Sequence, residues 1–320
     1  MPPQLKRPNA LPATPTLAVV SPAAASPPEV LAQGTEALRQ AGFNPVLLPH
    51  AGGSYRGYLA APDADRLADL THALTSPEFD AVLLARGGYG CTRLLPHLPW
   101  EQLATLPPKL VMGFSDATAL LVALHHKLGW AGLYSPMLTS NLAPNPEASP
   151  HATQATWDGW LQWLKPTTPP NLAITNHDPY TCLRAGQAHG PVMVGNLTLL
   201  AALCGTPWQP NLTGYILVIE DWKERYYSLD RQWVQLEQAG LLNGIAGLLL
   251  ADFSFCDAEA ESFGYSLAEH WAWLTQGLNV PVGYGFSVGH GQLTASLPIG
   301  LTAQFDATTG TLAYTQPLWV

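Results

Sequence analysis

The sequence predicts an α/β protein built on a mostly parallel sheet. Short apolar runs alternate with helix-period patterns through the first half. Those runs are continuous rather than alternating, as expected of strands buried on both faces. The 320 residues also include 30 prolines and 28 glycines, enough turn chemistry to separate many short elements. A chain of this length suggests about two domains.

The elements follow in order. Leu17–Ser21 reads as a buried strand ending at Ser-Pro. Val30, Leu31, Gly34, Leu38 and Ala41 recur at helical spacing, and Gly42 is a stop signal. Pro45–Leu48 is a short strand, Asp63–Leu74 a helix and Ala81–Ala85 a buried strand. Leu110–Phe114 is another strand, followed at once by a helix with Ala117, Leu120, Leu121, Leu124 and Leu128 on one face. Trp157, Trp160, Leu161 and Leu164 have helical spacing, with Trp163 beside them, and read as packing residues. Asn196–Leu203 is helix-like, Tyr215–Ile219 a strand, Arg231–Leu242 a helix and Ile245–Ala251 a strand. Leu301–Thr315 reads as a hairpin around Asp306–Gly310. The proline-rich stretch with KPTTPPN divides the chain into 1–165, a linker at 166–185, and 186–320.

Composition excludes several classes. Apolar residues make up 47% and charged residues 12%, which does not fit a disordered chain. Net charge is −9 and no Lys/Arg cluster is present, so a nucleic-acid partner is not expected. A small anionic ligand in a local basic pocket stays open. The four cysteines, Cys91, Cys182, Cys204 and Cys256, form no CxxC pair and no zinc spacing. They fit unpaired thiols in a reducing compartment. The N-terminus is broken by prolines and resembles no signal region, and no apolar run reaches about 18 residues. The expectation is a soluble, cytoplasmic protein with no membrane partner.

Four segments can carry chemistry. In GFSDAT (Gly113–Thr118) a strand stops, Ser115 sits at the corner and a helix starts. The free N–H groups of a helix N-terminus favour an oxyanion, so the corner suits acyl transfer. Ser115 can equally be an N-cap, and Ala117 departs from GxSxG. RGGYG (Arg86–Gly90) follows a buried strand and reads either as a tight turn or as an oxyanion donor through the Gly88 N–H. The acids ending YILVIED, Glu220 and Asp221, compete for the role of histidine orienter. His290, between glycines in VGHGQLTASLPIG, is a candidate general base. His125 and His126 read as surface or partial core.

Taken in this order, with RGGYGCTRLL, GFSDATAL, GNLTLLAALCGTPW, YILVIED, SLDRQWVQL and GHGQLTASLPIG, the chain resembles the LD-carboxypeptidase family of serine peptidases. The resemblance runs from about Leu17 to Gly300. It implies an N-terminal Rossmann-like domain of the class I glutamine amidotransferase kind and a C-terminal α/β barrel-like domain. It implies a Ser115–His290–Glu220 triad, split between the two domains, with oxyanion donors near Gly88 and at Asp116. It also implies hydrolysis without metal or cofactor, a homodimer, and release of terminal D-alanine from murein tetrapeptides. Related members cleave microcin C-type acyl-adenylate mimics. That alternative would gain if Trp157, Trp160 or Trp163 faced the cleft; a non-catalytic binding protein on the same fold is the remote alternative. Arg231 and Asn196 are the candidates for binding the substrate carboxylate. Two departures, Tyr134-Ser135-Pro136-Met137 for a His-Gly-Pro-Met-like segment and Val194-Gly195-Asn196 for Gly-Gly-Asn, bear on the pocket.

Overall fold

The computed structural model describes residues 3–144, 149–165, 172–174 and 179–320. The first half runs β1 (Thr16–Val20), α1 (Pro28–Gln40), β2 (Asn44–Leu47), α2 (Asp63–Thr75) and β3 (Ala81–Leu84). It continues with α3 (Cys91–Leu94), α4 (Trp100–Thr105), β4 (Leu110–Gly113), α5 (Ala117–Leu128) and β5 (Gly132–Tyr134). The second half runs α6 (Pro150–Leu164), β6 (Leu172–Ile174), β7 (Thr181–Arg184), β8 (Gln187–Asn196) and α7 (Leu197–Leu203). It ends with β9 (Ile216–Trp222), α8 (Tyr226–Gln238), β10 (Gly247–Ser254), α9 (Ala260–Phe263), α10 (Leu267–Leu274), β11 (Val282–Tyr284), β12 (Leu297–Ile299), β13 (Thr302–Asp306) and β14 (Thr311–Tyr314).

The first sheet has the order β12-β5-β4-β3-β1-β2. Strands β1 to β5 are parallel, and β12 joins the edge antiparallel to β5. The second sheet has the order β6-β14-β13-β8-β9-β10-β11-β7, parallel across β8 to β11 and antiparallel on both flanks. It curls as a half-barrel with open edges. The expected linker therefore supplies structure. Its described parts form β6 and β7, the two edge strands of the second sheet, while 166–171 and 175–178 lie outside the described residues.

Sequence and structure differ most where an element is packed on more than one side. Helix α5 was expected to bury one face, yet ten of its twelve residues are buried. It lies on the first sheet and also touches α7 and β8 of the second. Helix α8 begins at Tyr226, earlier than expected, and ends before the left-handed Gly240. Trp160 and Trp163 are fully buried, and the Trp163 indole N–H donates to the Ser296 carbonyl. His125 is core rather than surface. Its Nδ1 lies 3.1 Å from the Trp130 carbonyl and its Nε2 2.8 Å from the Tyr215 hydroxyl.

Candidate active site

Ser115 sits between the end of β4 and the start of α5 with φ +60°, a left-handed conformation unusual for a residue with a Cβ. Such strain is held in place by surrounding contacts and concentrates at functional sites. Helix α5 receives no side-chain cap, so the serine is not an N-cap. Its Oγ lies 3.0 Å from His290 Nε2. Across the ring, His290 Nδ1 lies 2.6 Å from Glu220 Oε2. A carboxylate only accepts, so Nδ1 carries the proton and Nε2 is left to accept from the serine hydroxyl.

Glu220 is wholly buried near the end of β9. Its Oε1 accepts from the Tyr134 hydroxyl at 2.7 Å and from Asn196 Nδ2 at 3.2 Å. Asp221, the next residue along β9, has a different set of partners. Asp221 accepts from Asn196 Nδ2, the Thr198 N–H and hydroxyl, and the Trp222 N–H, and so secures the start of α7. Burial, reinforced by the nearby charge of Glu220, raises the Asp221 pKa to about 6.

Burial alone would lower the His290 pKa, but the charge and hydrogen bond of Glu220 outweigh it. Asp221 and Asp252 add to the pull, and the value ends above the ordinary imidazole range. The ring is held edge-on to Phe114, with centroids 4.9 Å apart, and stacked on Trp222 at 5.9 Å. The loop around it is tied down: Thr294 Oγ1 donates to the Gly289 carbonyl, and the Ala295 N–H to Ser287.

The glycine loop after β3 approaches Ser115. A Cβ on Gly87 would lie 2.9 Å from the Ser115 Cβ, so the loop backbone reaches the serine only because residue 87 has no side chain. Gly88 has φ +98°. Among the described residues, neither the Gly88 nor the Asp116 backbone N–H has an acceptor. The loop is braced from behind. Buried Arg66 of α2 donates to the carbonyls of Ala61, Pro22 and Gly90, and Asp116 Oδ2 accepts the Cys91 N–H at 2.8 Å.

Ser115 and His290 open into a cleft of about 390 Å³ that is also lined by Arg86, Gly88, Met137, Asn141 and Trp222. Arg86 is exposed, and its guanidinium donates to the Ala25 carbonyl. Sequence reasoning chose a different cation. Arg231 is exposed on α8, donates to Ser228 Oγ and lies over the Tyr227 ring; it does not line the cleft. Asn196 is buried with its amide N–H groups on Glu220 and Asp221, so it supports the carboxylates and does not face a ligand. None of Trp157, Trp160 and Trp163 lines the cleft; Trp222 and Phe114 do. Tyr134 was singled out only as a departure in sequence, although it touches both ends of the constellation.

A serine oxygen against an imidazole, itself oriented by a carboxylate, can be deprotonated as it attacks an electrophilic carbon. Free N–H groups beside it can hold the oxyanion that forms. Among the described residues, no three His, Cys, Asp or Glu side chains gather as a metal-ligand group, and no helix is long and apolar enough to cross a membrane.

Comparison with known proteins gives a consistent result. The model of the LD-carboxypeptidase N-terminal domain matches residues 17–135, and that of the C-terminal domain matches 189–305. The murein tetrapeptide carboxypeptidase of Pseudomonas aeruginosa is 32% identical over 91% of this chain and 92% of its own. The structure of muramoyltetrapeptide carboxypeptidase from Oxalobacter formigenes superposes with a TM-score of 0.79 at 28% identity, covering 93% of this chain and 97% of that one. The microcin C7 self-immunity protein, solved with glutamyl sulfamoyl guanosine, shares the fold, with a TM-score of 0.88 at 21% identity over 99% and 100% of the chains.

Proposed function

The chain belongs to the LD-carboxypeptidase family of serine-type hydrolases, and on that premise we propose that it releases terminal D-alanine from murein tetrapeptides through an acyl-enzyme. The observation that carries the reading is the unbroken contact from Ser115 and His290, which line one cleft, to Glu220 buried behind them.

In the proposed reaction Ser115 Oγ attacks the carbonyl carbon of the L-centred diamino acid, and its proton passes to His290 Nε2. The Gly88 and Asp116 N–H groups hold the oxyanion. As the tetrahedral intermediate collapses, the C–N bond breaks and His290 returns the proton to the departing D-alanine nitrogen. Water then attacks the ester with His290 as base, releasing the tripeptide and restoring Ser115. Glu220 keeps the imidazole in the Nδ1–H tautomer and supports its charge. We assign the substrate's terminal carboxylate to Arg86, the guanidinium beside the glycine loop, because a planar fork suits a carboxylate. The protein is read as a cytoplasmic homodimer acting on released wall peptides.

The test is D-alanine release from L-Ala-γ-D-Glu-diaminopimelate-D-Ala by the wild type and by Ser115→Ala. Release by the wild type and its loss in the variant is expected; equal release by both would sink the mechanism. Trp222, a flat ring at the cleft, favours one second reading, cleavage of aminoacyl-nucleotide conjugates. A wild type that hydrolyses such a conjugate and leaves the tetrapeptide intact would select it.

A further inference from the structure

Tyr134 ends β5 in register with Gly113 of β4, which brings its ring under the nucleophile corner. The side chain is fully buried. Its hydroxyl accepts the Ser115 N–H at 3.1 Å and donates to Glu220 Oε1 at 2.7 Å, the oxygen that His290 does not use. One phenol thus joins the backbone of the nucleophile to the carboxylate behind the base. Burial, with the charge of Glu220 and its hydrogen bond, pushes this phenol well above its ordinary range, so the proton stays on the oxygen.

We propose that Tyr134 is a positioning residue of the reaction, acting in two ways. First, it holds Ser115 at φ +60° by satisfying an N–H that the left-handed corner directs away from the helix ladder. Second, with Asn196 it takes up hydrogen-bonding capacity of Glu220 that would otherwise bear on His290. A carboxylate that donors already engage attracts an imidazolium less strongly. Tyr134 therefore restrains how far Glu220 raises His290, keeping more of the base unprotonated near neutral pH. The other charged groups around this network are Asp221 of β9 and Asp252 of β10, which raise His290, and Arg86 across the cleft.

The inference rests on Ser115 being the nucleophile and does not depend on the peptide substrate. The probe is therefore a fluorophosphonate. Ser115 Oγ forms a bond to phosphorus, fluoride leaves, and the serine proton passes to His290. The second-order rate is followed against pH for the full chain, with a tetrapeptide assay alongside. For Tyr134→Phe the rate should fall about tenfold or more and its pH midpoint should rise by about half a unit, because Glu220 then bears more fully on His290. Replacing Tyr134 by 3,5-difluorotyrosine keeps the shape but strengthens the donor, and should move the midpoint down. Opposite shifts support the proposal. An unchanged rate and midpoint in Tyr134→Phe, or a slower rate with neither variant moving the midpoint, overturns it. If Tyr134→Phe does not fold, the sign of the difluorotyrosine shift decides. A wild type that reacts with the fluorophosphonate and leaves the tetrapeptide intact fails the substrate reading alone.

Discussion

Gly289 and Glu220 are packed so closely that a Cβ on the glycine would lie 2.6 Å from Glu220 Oε2, the oxygen that holds His290. The glycine also has φ +129°, which disfavours any other residue there. Gly289→Ala should displace the carboxylate from beneath the imidazole. We expect kcat to fall by about 100-fold, as ångström-scale misplacement does, with KM little changed. Steady-state kinetics together with a circular dichroism spectrum check this; near wild-type kcat in the folded variant would show that the contact relaxes harmlessly.

The raised His290 pKa sets a pH profile. In the proposed mechanism His290 works unprotonated, so kcat/KM should climb with pH and reach its midpoint above 6.5, the ordinary histidine value. Glu220→Gln removes the leading cause of the rise and leaves burial dominant, so the midpoint should move down. The same change disturbs the imidazole tautomer, and activity should drop by roughly 10³–10⁴-fold at every pH. A midpoint that stays in place would mean that other groups control the base.

Two arginines can be separated by kinetics. Arg86→Ala should raise KM for the tetrapeptide by roughly tenfold or more, and Arg86→Lys should recover only part, since a lysine lacks the planar fork. Arg231→Ala should leave both constants within about twofold, because its side chain lies outside the cleft. The reverse pattern would return the carboxylate to Arg231.

His125 predicts an acid weakness unrelated to catalysis. Burial lowers its pKa from 6.5 to about 4, even though its bond to the Trp130 carbonyl opposes the shift. The folded value lies below the unfolded one, so the stability contribution is full above pH 6.5 and is lost as pH falls toward 4. The loss is on the order of 3 kcal/mol. Urea midpoints should therefore decline over this window, and His125→Gln should flatten that part of the decline while lowering stability at neutral pH.

The parts legible in the sequence were those whose geometry is local. A strand running directly into a helix fixes Ser115 at a corner, and an apolar run ending in Glu220-Asp221 fixes two acids at a strand end. Which of the two acids reaches His290 depends on a loop far along the chain, which no local pattern reveals. Arg86 was not recognised as a cleft cation because its exposure depends on how RGGYG bends over Ser115. Asn196 was assigned to a ligand because its partners, Glu220 and Asp221, lie on a neighbouring strand whose register no local pattern reveals. The same holds for Tyr134, whose two contacts come from pairing with β4 and packing against β9. Strand β8 was missed because glycine and proline interrupt QAHGPVMVGN, and β12 because three residues with a central proline, Leu297–Ile299, give no periodicity.

Strand β12 fastens the two sheets together. It pairs with β5 at Leu297–Tyr134, and the chain then returns to the second sheet as β13. His290 thus hangs on a tether of six residues, 291–296, clasped into the sheet that carries Ser115. Swinging the two halves apart as on a hinge would first require unzipping that clasp. For the same reason the surroundings of Ser115 and His290 should lose their structure in a single cooperative step, and halves produced as separate polypeptides should lack the interlock that closes the cleft.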